Sequence, residues 1–227
     1  MFCSGEWDFM DFTLVCRKPT LCPRPETEEL VEIICKDIDT NIKDFDQRKM
    51  RILDVGCGTG AIGLAIARKY PNASVIGIDK CDKAVALSNE NARLLGLSSD
   101  SYTACISTAD KFHVLNDQRF HFVVSNPPYI PLNDMTSLSK DVIDHEDYDA
   151  LCGGTDGLDV VRDIIHQLPN WLADGGGRSC WMEVDTSHPK IIEKLILSDM
   201  KVDNVIFDGY KQDFCGRDRF IKLSVLT

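Results

Sequence analysis

Apolar positions fall into two alternating kinds of segment. Short runs, Arg51-Ile52-Leu53-Asp54-Val55, Ser74-Val75-Ile76-Gly77-Ile78, Phe120–Ser125 and Arg178–Val184, read as buried strands. Between them, apolar residues recur at helical spacing. Glu26–Asp39 carries Leu30, Val31, Ile33 and Ile34 on an amphipathic helix, and helices are predicted after Ala61, over Gly157–Leu172 and over Pro189–Asp199. Strand–helix units starting at Arg51, Ser74 and Tyr102, then a fourth strand at Phe120, predict an α/β fold. Trp7–Val15 reads as a strand or hairpin, and residues 41–49 as a polar surface loop. Residues 131–157 read as a long, acid-rich irregular insertion. Val202–Phe207 and Phe220–Leu226 close the sheet as an antiparallel hairpin. No internal repeat is visible. Residues 1–25 form a hairpin and linker ahead of one large domain, 26–227.

Two strand ends carry chemistry. The first strand runs into Asp54-Val55-Gly56-Cys57-Gly58-Thr59-Gly60 and then an apolar helix. Glycines there permit unusual backbone angles and close approach of a ligand. Gly56, Gly58 and Ala61 also satisfy a loose dinucleotide fingerprint, which alone is a weak signal. Three features favour S-adenosylmethionine over NAD. Asp54 precedes the first glycine, where it can reach an ammonium. Gly60 sits where the helix starts. No hydride-transfer residue is evident. Asp79, closing the second strand, is placed to accept from both ribose hydroxyls; the plainer role is an acid at a helix start. Asp110, after the third strand, falls where an adenine-contacting acid sits.

The fourth strand ends at Asn126-Pro127-Pro128-Tyr129. Two prolines cannot continue a sheet, so the chain turns sharply. Asn126 then presents a carbonyl into the crevice beyond the strand ends. The Pro127 carbonyl supplies a second acceptor, and Tyr129 an aromatic face for a flat group. Two acceptors aimed at one spot suit a planar, conjugated NH2. The reading is a site that alkylates an amide or exocyclic-amine nitrogen, with Asn126, Pro127, Pro128 and Tyr129 holding the substrate. The bland alternative is a turn built of common turn residues.

These motifs together resemble the HemK/PrmC family of protein-glutamine methyltransferases. The resemblance rests on DVGCGTG, Ile78-Asp79 and Ser125–Ile130. It is strengthened by the PRPETEEL segment Pro23–Leu30, by Gly153-Gly154-Thr155-Asp156-Gly157-Leu158, and by Asp213-Phe214-Cys215-Gly216-Arg217, which is similar to animal, organellar members. It implies a class I S-adenosylmethionine-dependent methyltransferase, Rossmann-like. Its sheet would be mostly parallel and seven-stranded, with an antiparallel C-terminal strand. The implied reaction methylates the glutamine of a Gly-Gly-Gln motif in a peptide-chain release factor. Asp54, Gly56, Gly58, Thr59, Gly60, Asp79, Asp110 and Asn126 would bind the cofactor. Asn126, Pro127 and Tyr129 would serve catalysis. Arg24 or Thr27 would lie near the active-site mouth. The resemblance implies a small helical domain ahead of the catalytic one; this sequence is read as starting in the segment that joins the two, which bears on release-factor docking. Glu146-Asp147 also departs from the family's acid-then-proline. Two other classes stay open: an adenine methyltransferase on DNA or RNA, and a non-catalytic module that keeps the fold.

Charge refines the picture. The 25 basic and 36 acidic residues give a net charge of −11. That opposes nonspecific nucleic-acid binding and suits a basic protein partner. The ten cysteines show no zinc spacing and are expected as reduced thiols; no metal site is expected. No run is long enough to span a bilayer. The acidic first dozen residues do not resemble a transit peptide. A mitochondrial full-length form follows from the resemblance, with a cytoplasmic one as the alternative. The chain is read as a monomer, and a helper subunit stays open.

Overall fold

The computed structural model describes residues 5–41, 50–115, 118–138, 146–198, 202 and 204–226. The N-terminal aromatics form a hairpin, β1 (Gly5–Phe9) and β2 (Phe12–Cys16), followed by helix α1 (Pro25–Asn41). Strand–helix alternation then gives β3 (Arg51–Val55), α2 (Ala61–Lys69), β4 (Ser74–Asp79), α3 (Asp82–Leu94), β5 (Tyr102–Ile106) and β6 (Phe122–Ser125). After one short turn, α4 (Tyr148–Leu151), come α5 (Asp159–Trp171), β7 (Ser179–Glu183), α6 (His188–Ser198), β8 (Val205–Gln212) and β9 (Asp218–Val225).

Seven strands form one sheet in the order β5-β4-β3-β6-β7-β9-β8. β9 alone runs against its neighbours, pairing antiparallel with β7 and β8. The continuous apolar runs are explained by burial on both faces. Ile52, Phe122, Val124, Trp181 and Phe220 join one core with α1, α2 and the hairpin. Leu53, Val55, Val123, Cys180, Met182 and Ile221 point the other way, into a core with α5 and α6. Strand order reverses between β3 and β6, so a crevice opens beyond their carboxyl ends.

One buried polar residue joins the hairpin to this frame. Asn91 of α3 exchanges both backbone bonds with Val15 (2.9 and 3.0 Å) and donates to the Thr59 carbonyl at 2.9 Å.

Several expectations change. No α-helix follows β5 among the described residues; a 3-10 turn, Ala109–Lys111, stands there. Phe112 instead packs its ring against Phe120 and Trp171, filling the space a helix would cover. Phe120 is an isolated bridge to Leu172, so β6 starts two residues late. The described parts of the 131–157 insertion fold back on the segment after the Asn-Pro-Pro-Tyr turn, with Ile130 bridging Cys152. β8 extends to Gln212, because an exposed outer strand tolerates polar residues. Residues 42–49 of the expected surface loop lie outside the described residues. Among the described residues eight cysteines are free thiols, but Cys22 is disulfide-bonded, which corrects the expectation of reduced thiols throughout.

Candidate active site

The glycine turn after β3 is built by left-handed backbone angles at Gly56, Gly58 and Gly60 (φ 70°, 54° and 86°). The first two have open space where a side chain would be: a Cβ on Gly56 meets nothing within 4 Å. At Gly60 the reason is packing, since a Cβ would lie 2.5 Å from Ser88 Oγ. Asp79 shapes the turn, its carboxylate accepting from the Gly58 N–H at 3.0 Å and the Cys81 N–H at 2.9 Å.

Beyond these strand ends lies a cavity of about 600 Å³. Gly56, Gly58, Asp79, Asp110, Asn126 and Pro128 line it. Asp82, Asp147, Asp149 and Asp163 add further acid against Lys80 and Lys83. Burial, then the charge of Asp110, raises the Asp163 carboxyl. An acid-rich cradle with exposed glycine backbone fits a ligand that carries positive charge and a flat polar body.

Asp54, Thr59 and Gly60 are not on these walls. Asp54 is 1% exposed, and its Oδ2 accepts from the Gly63 N–H at 2.9 Å, fastening the start of α2. Burial pushes its carboxyl up to about 7, against the pull of that bond. Thr59 offers its carbonyl to Asn91.

A smaller pocket of about 140 Å³ adjoins the first, lined by Arg24, Asn126, Pro127, Pro128, Tyr129 and Glu146 among others. Asn126 borders both pockets. Its Nδ2 donates to Thr27 Oγ1 at 3.1 Å, while its buried Oδ1 has no partner. Thr27 in turn donates to Glu183 Oε2 at 2.9 Å. Glu183 is 1% exposed. Burial pushes its carboxyl up to about 7, with Thr27 and Arg219 pulling down. Burial likewise raises the Tyr129 phenol to about 12, so it stays protonated.

The turn is wedged from behind. A Cβ on Gly153 would lie 2.5 Å from the Pro128 carbonyl oxygen, and one on Gly157 2.3 Å from that of Tyr129. The Gly153–Leu158 segment is therefore glycine-rich because it packs directly on the Asn-Pro-Pro-Tyr backbone. Four polar side chains of the PRPETEEL segment have partners. Arg24 pairs with the buried Glu146, Glu26 with Arg217 at 2.8 Å, Thr27 with Asn126 and Glu183, and Glu28 with the Met10 N–H at 2.9 Å.

From sequence, Glu183 at the end of a buried strand reads equally as a crevice residue or a surface acid. The signal was an acid enclosed by Cys180-Trp181-Met182 and Val184, all buried. Among the described residues no group of three or more His, Cys, Asp or Glu side chains could hold a metal, and no helix is long and apolar enough to cross a membrane.

Comparison with known proteins adds the family. Residues 33–145 match the methyltransferase small domain. The human MTRF1L release factor glutamine methyltransferase is 35% identical over 96% of the chain and 65% of its own length. The release factor glutamine methyltransferase of Vibrio cholerae is 34% identical over 95% of the chain and 69% of its own. The chain belongs to the release factor glutamine methyltransferase family. It spans as little as 52% to 58% of the length of other curated members. The fold is that of class I methyltransferases. The N-terminal domain of human METTL16, solved with SAH, superposes with a TM-score of 0.61 at 17% identity, over 94% of this chain and 76% of that one. In this family member the motifs of the glycine turn and of Asn126–Tyr129 both face the same crevice.

Proposed function

We propose that the chain transfers a methyl group from S-adenosylmethionine to the side-chain amide nitrogen of the glutamine in the Gly-Gly-Gln motif of a peptide-chain release factor. One observation carries the reading. Asn126 lines both pockets, and its buried Oδ1 has no hydrogen-bond partner. A buried carbonyl without a donor is costly to leave unmet, and a substrate NH2 meets that need. The acidic cavity takes the cationic cofactor, with Gly56, Gly58, Asp79 and Asp110 on its walls. The smaller pocket takes the glutamine. Asp54, Thr59 and Gly60 support the cofactor loop from beneath.

When bound, the cofactor supplies a methyl carbon on a sulfonium that leaves as a neutral thioether. The chain's own task is the nucleophile, whose lone pair is delocalised into the amide. Asn126 Oδ1 and the Pro127 carbonyl accept the two N–H bonds, fixing the nitrogen and favouring the positive charge that builds on it. Tyr129 packs a face on the planar group. The nitrogen sheds one proton to water after the N–C bond forms, so no general base is assigned. Acid on the cavity walls opposes a phosphate backbone, which counts against the nucleic-acid reading. The organellar location rests on the likeness of Asp213–Arg217 to animal members.

The test is transfer of labelled methyl from S-adenosylmethionine to organellar and cytosolic release factors, each beside its Gly-Gly-Gln variant with Gln→Ala, and to bare DNA and RNA. Label on one factor that vanishes with Gln→Ala is expected. Label on nucleic acid, or none on any factor, would overturn the reading for this chain.

A further inference from the structure

A carboxamide has two orientations half a turn apart that fill the same space. Only one of them turns the Asn126 oxygen away from Thr27 and leaves it free to accept from a substrate. The other would set the Asn126 NH2 against a substrate NH2, donor against donor. The Asn-Pro-Pro-Tyr turn fixes where the amide sits but does not choose between the two. The choice is made by residues distant in sequence.

The Thr27 hydroxyl has one proton and two lone pairs. Its proton goes to Glu183 Oε2 at 2.9 Å. What it then shows Asn126 can only accept, so Asn126 must turn its Nδ2 there, at 3.1 Å. The oxygen is left facing the other way, buried and partnerless. The three groups are brought together by the fold. Ser125 pairs with Met182 across β6 and β7, which sets Asn126 beside Glu183 one residue further on. Thr27 comes from the first turn of α1, over the ends of both strands, and is 3% exposed.

We infer that Thr27 and Glu183 are positioning residues that set the polarity of the Asn126 amide, holding Oδ1 toward the substrate nitrogen. The inference rests on the proposed role of Asn126. Glu183 must be ionised for the relay to run in this direction. A protonated Glu183 can donate to Thr27, which frees the Thr27 proton for Asn126 Oδ1 and favours the turned-over amide. The groups facing Glu183 are Thr27 and Glu26 from α1, Asn126 and Tyr129 from the turn after β6, and Arg219 from β9. Arg219 and hydrogen bonds from the Thr27 and Asn126 side chains favour the ionised form, and Glu26 opposes it.

The test compares Thr27→Val, which keeps the shape and removes the hydroxyl, with Thr27→Ser, which keeps the hydroxyl. Cofactor affinity is measured by calorimetry and transfer kinetics with release factor. Thr27→Val is expected to lower kcat by about tenfold or more with little change in KM or cofactor affinity, and Thr27→Ser to recover most of it. Wild-type kcat is expected to fall as pH drops through about 7, the value to which Glu183 is raised, and Glu183→Gln to lose that limb. A Thr27→Val kcat equal to wild type, or a loss confined to KM or cofactor affinity, would overturn the relay while leaving methyl transfer intact. A second readout needs no substrate. The Asn126 side-chain NH2 resonances of ¹⁵N-labelled protein, identified by their loss in Asn126→Ala, should be protected and shift with pH in wild type. In Thr27→Val they should do neither. Identical behaviour in the two proteins overturns the relay, even if wild type fails to methylate any factor.

Discussion

Asn126 and Asp54 are both polar groups with buried oxygens, and they differ in what they lack. Asn126 has one end held and the other without a partner, the condition for binding a donor. Asn126→Ala removes the acceptor without touching the glycine turn. Turnover is expected to fall about 100-fold or more while cofactor affinity by calorimetric titration stays nearly intact. Asp54 has its bond to Gly63 but keeps a carboxyl raised to about 7. The folded state then holds that proton more tightly than the unfolded chain does. Its contribution to stability is full below about pH 4 and is lost as pH rises through about 7, a change on the order of a few kcal/mol. Urea midpoints from pH 4.5 to 8 should show wild type losing stability relative to Asp54→Asn as pH rises. A difference that is flat with pH would remove Asp54 as the source. Both residues were marked by sequence motifs, but only their position was legible. The orientation of Asn126 depends on Thr27, 99 residues away, and no local pattern carries that.

At the scale of elements, strands were easiest to read because both faces are buried and the apolar runs are unbroken. The segment after β5 misled because alternation of strand and helix suggested a helix, whereas Phe112 and Trp171 close that space with rings. The edge strand β8 read short because its outer half is exposed and polar. The Gly153–Leu158 segment was legible as a motif but not as a wedge, since a glycine's reason for being is the atom it approaches. Gly157→Ala would push a methyl against the Tyr129 carbonyl at a φ of +80° and displace the substrate turn. Methyl transfer is expected to drop about tenfold or more with cofactor affinity changed far less, because the Gly56–Gly60 loop is built on other elements. Equal losses in both would show that the wedge supports the whole crevice.

The whole molecule carries a net charge of −11, and acid concentrates on the cavity walls. A basic protein substrate would be drawn to such a surface through long-range attraction that salt screens. kcat/KM for a release factor is expected to fall several-fold between 50 and 300 mM salt, order-of-magnitude values for screening over a Debye length, with kcat nearly constant. No salt dependence would mean that docking is decided by local contacts alone. Charge and fold class were legible from composition and motif. How distant segments close on one another was not. Helix α1 is tied to the far end of the chain, Asp37 to Lys222 at 2.8 Å and Glu26 to Arg217 at 2.8 Å, and it is α1 that brings Thr27 over Asn126. A chain emerging from the ribosome would thus complete its cofactor loop early, from β3 and β4. It would gain a correctly oriented nucleophile site only when its last strand has been made.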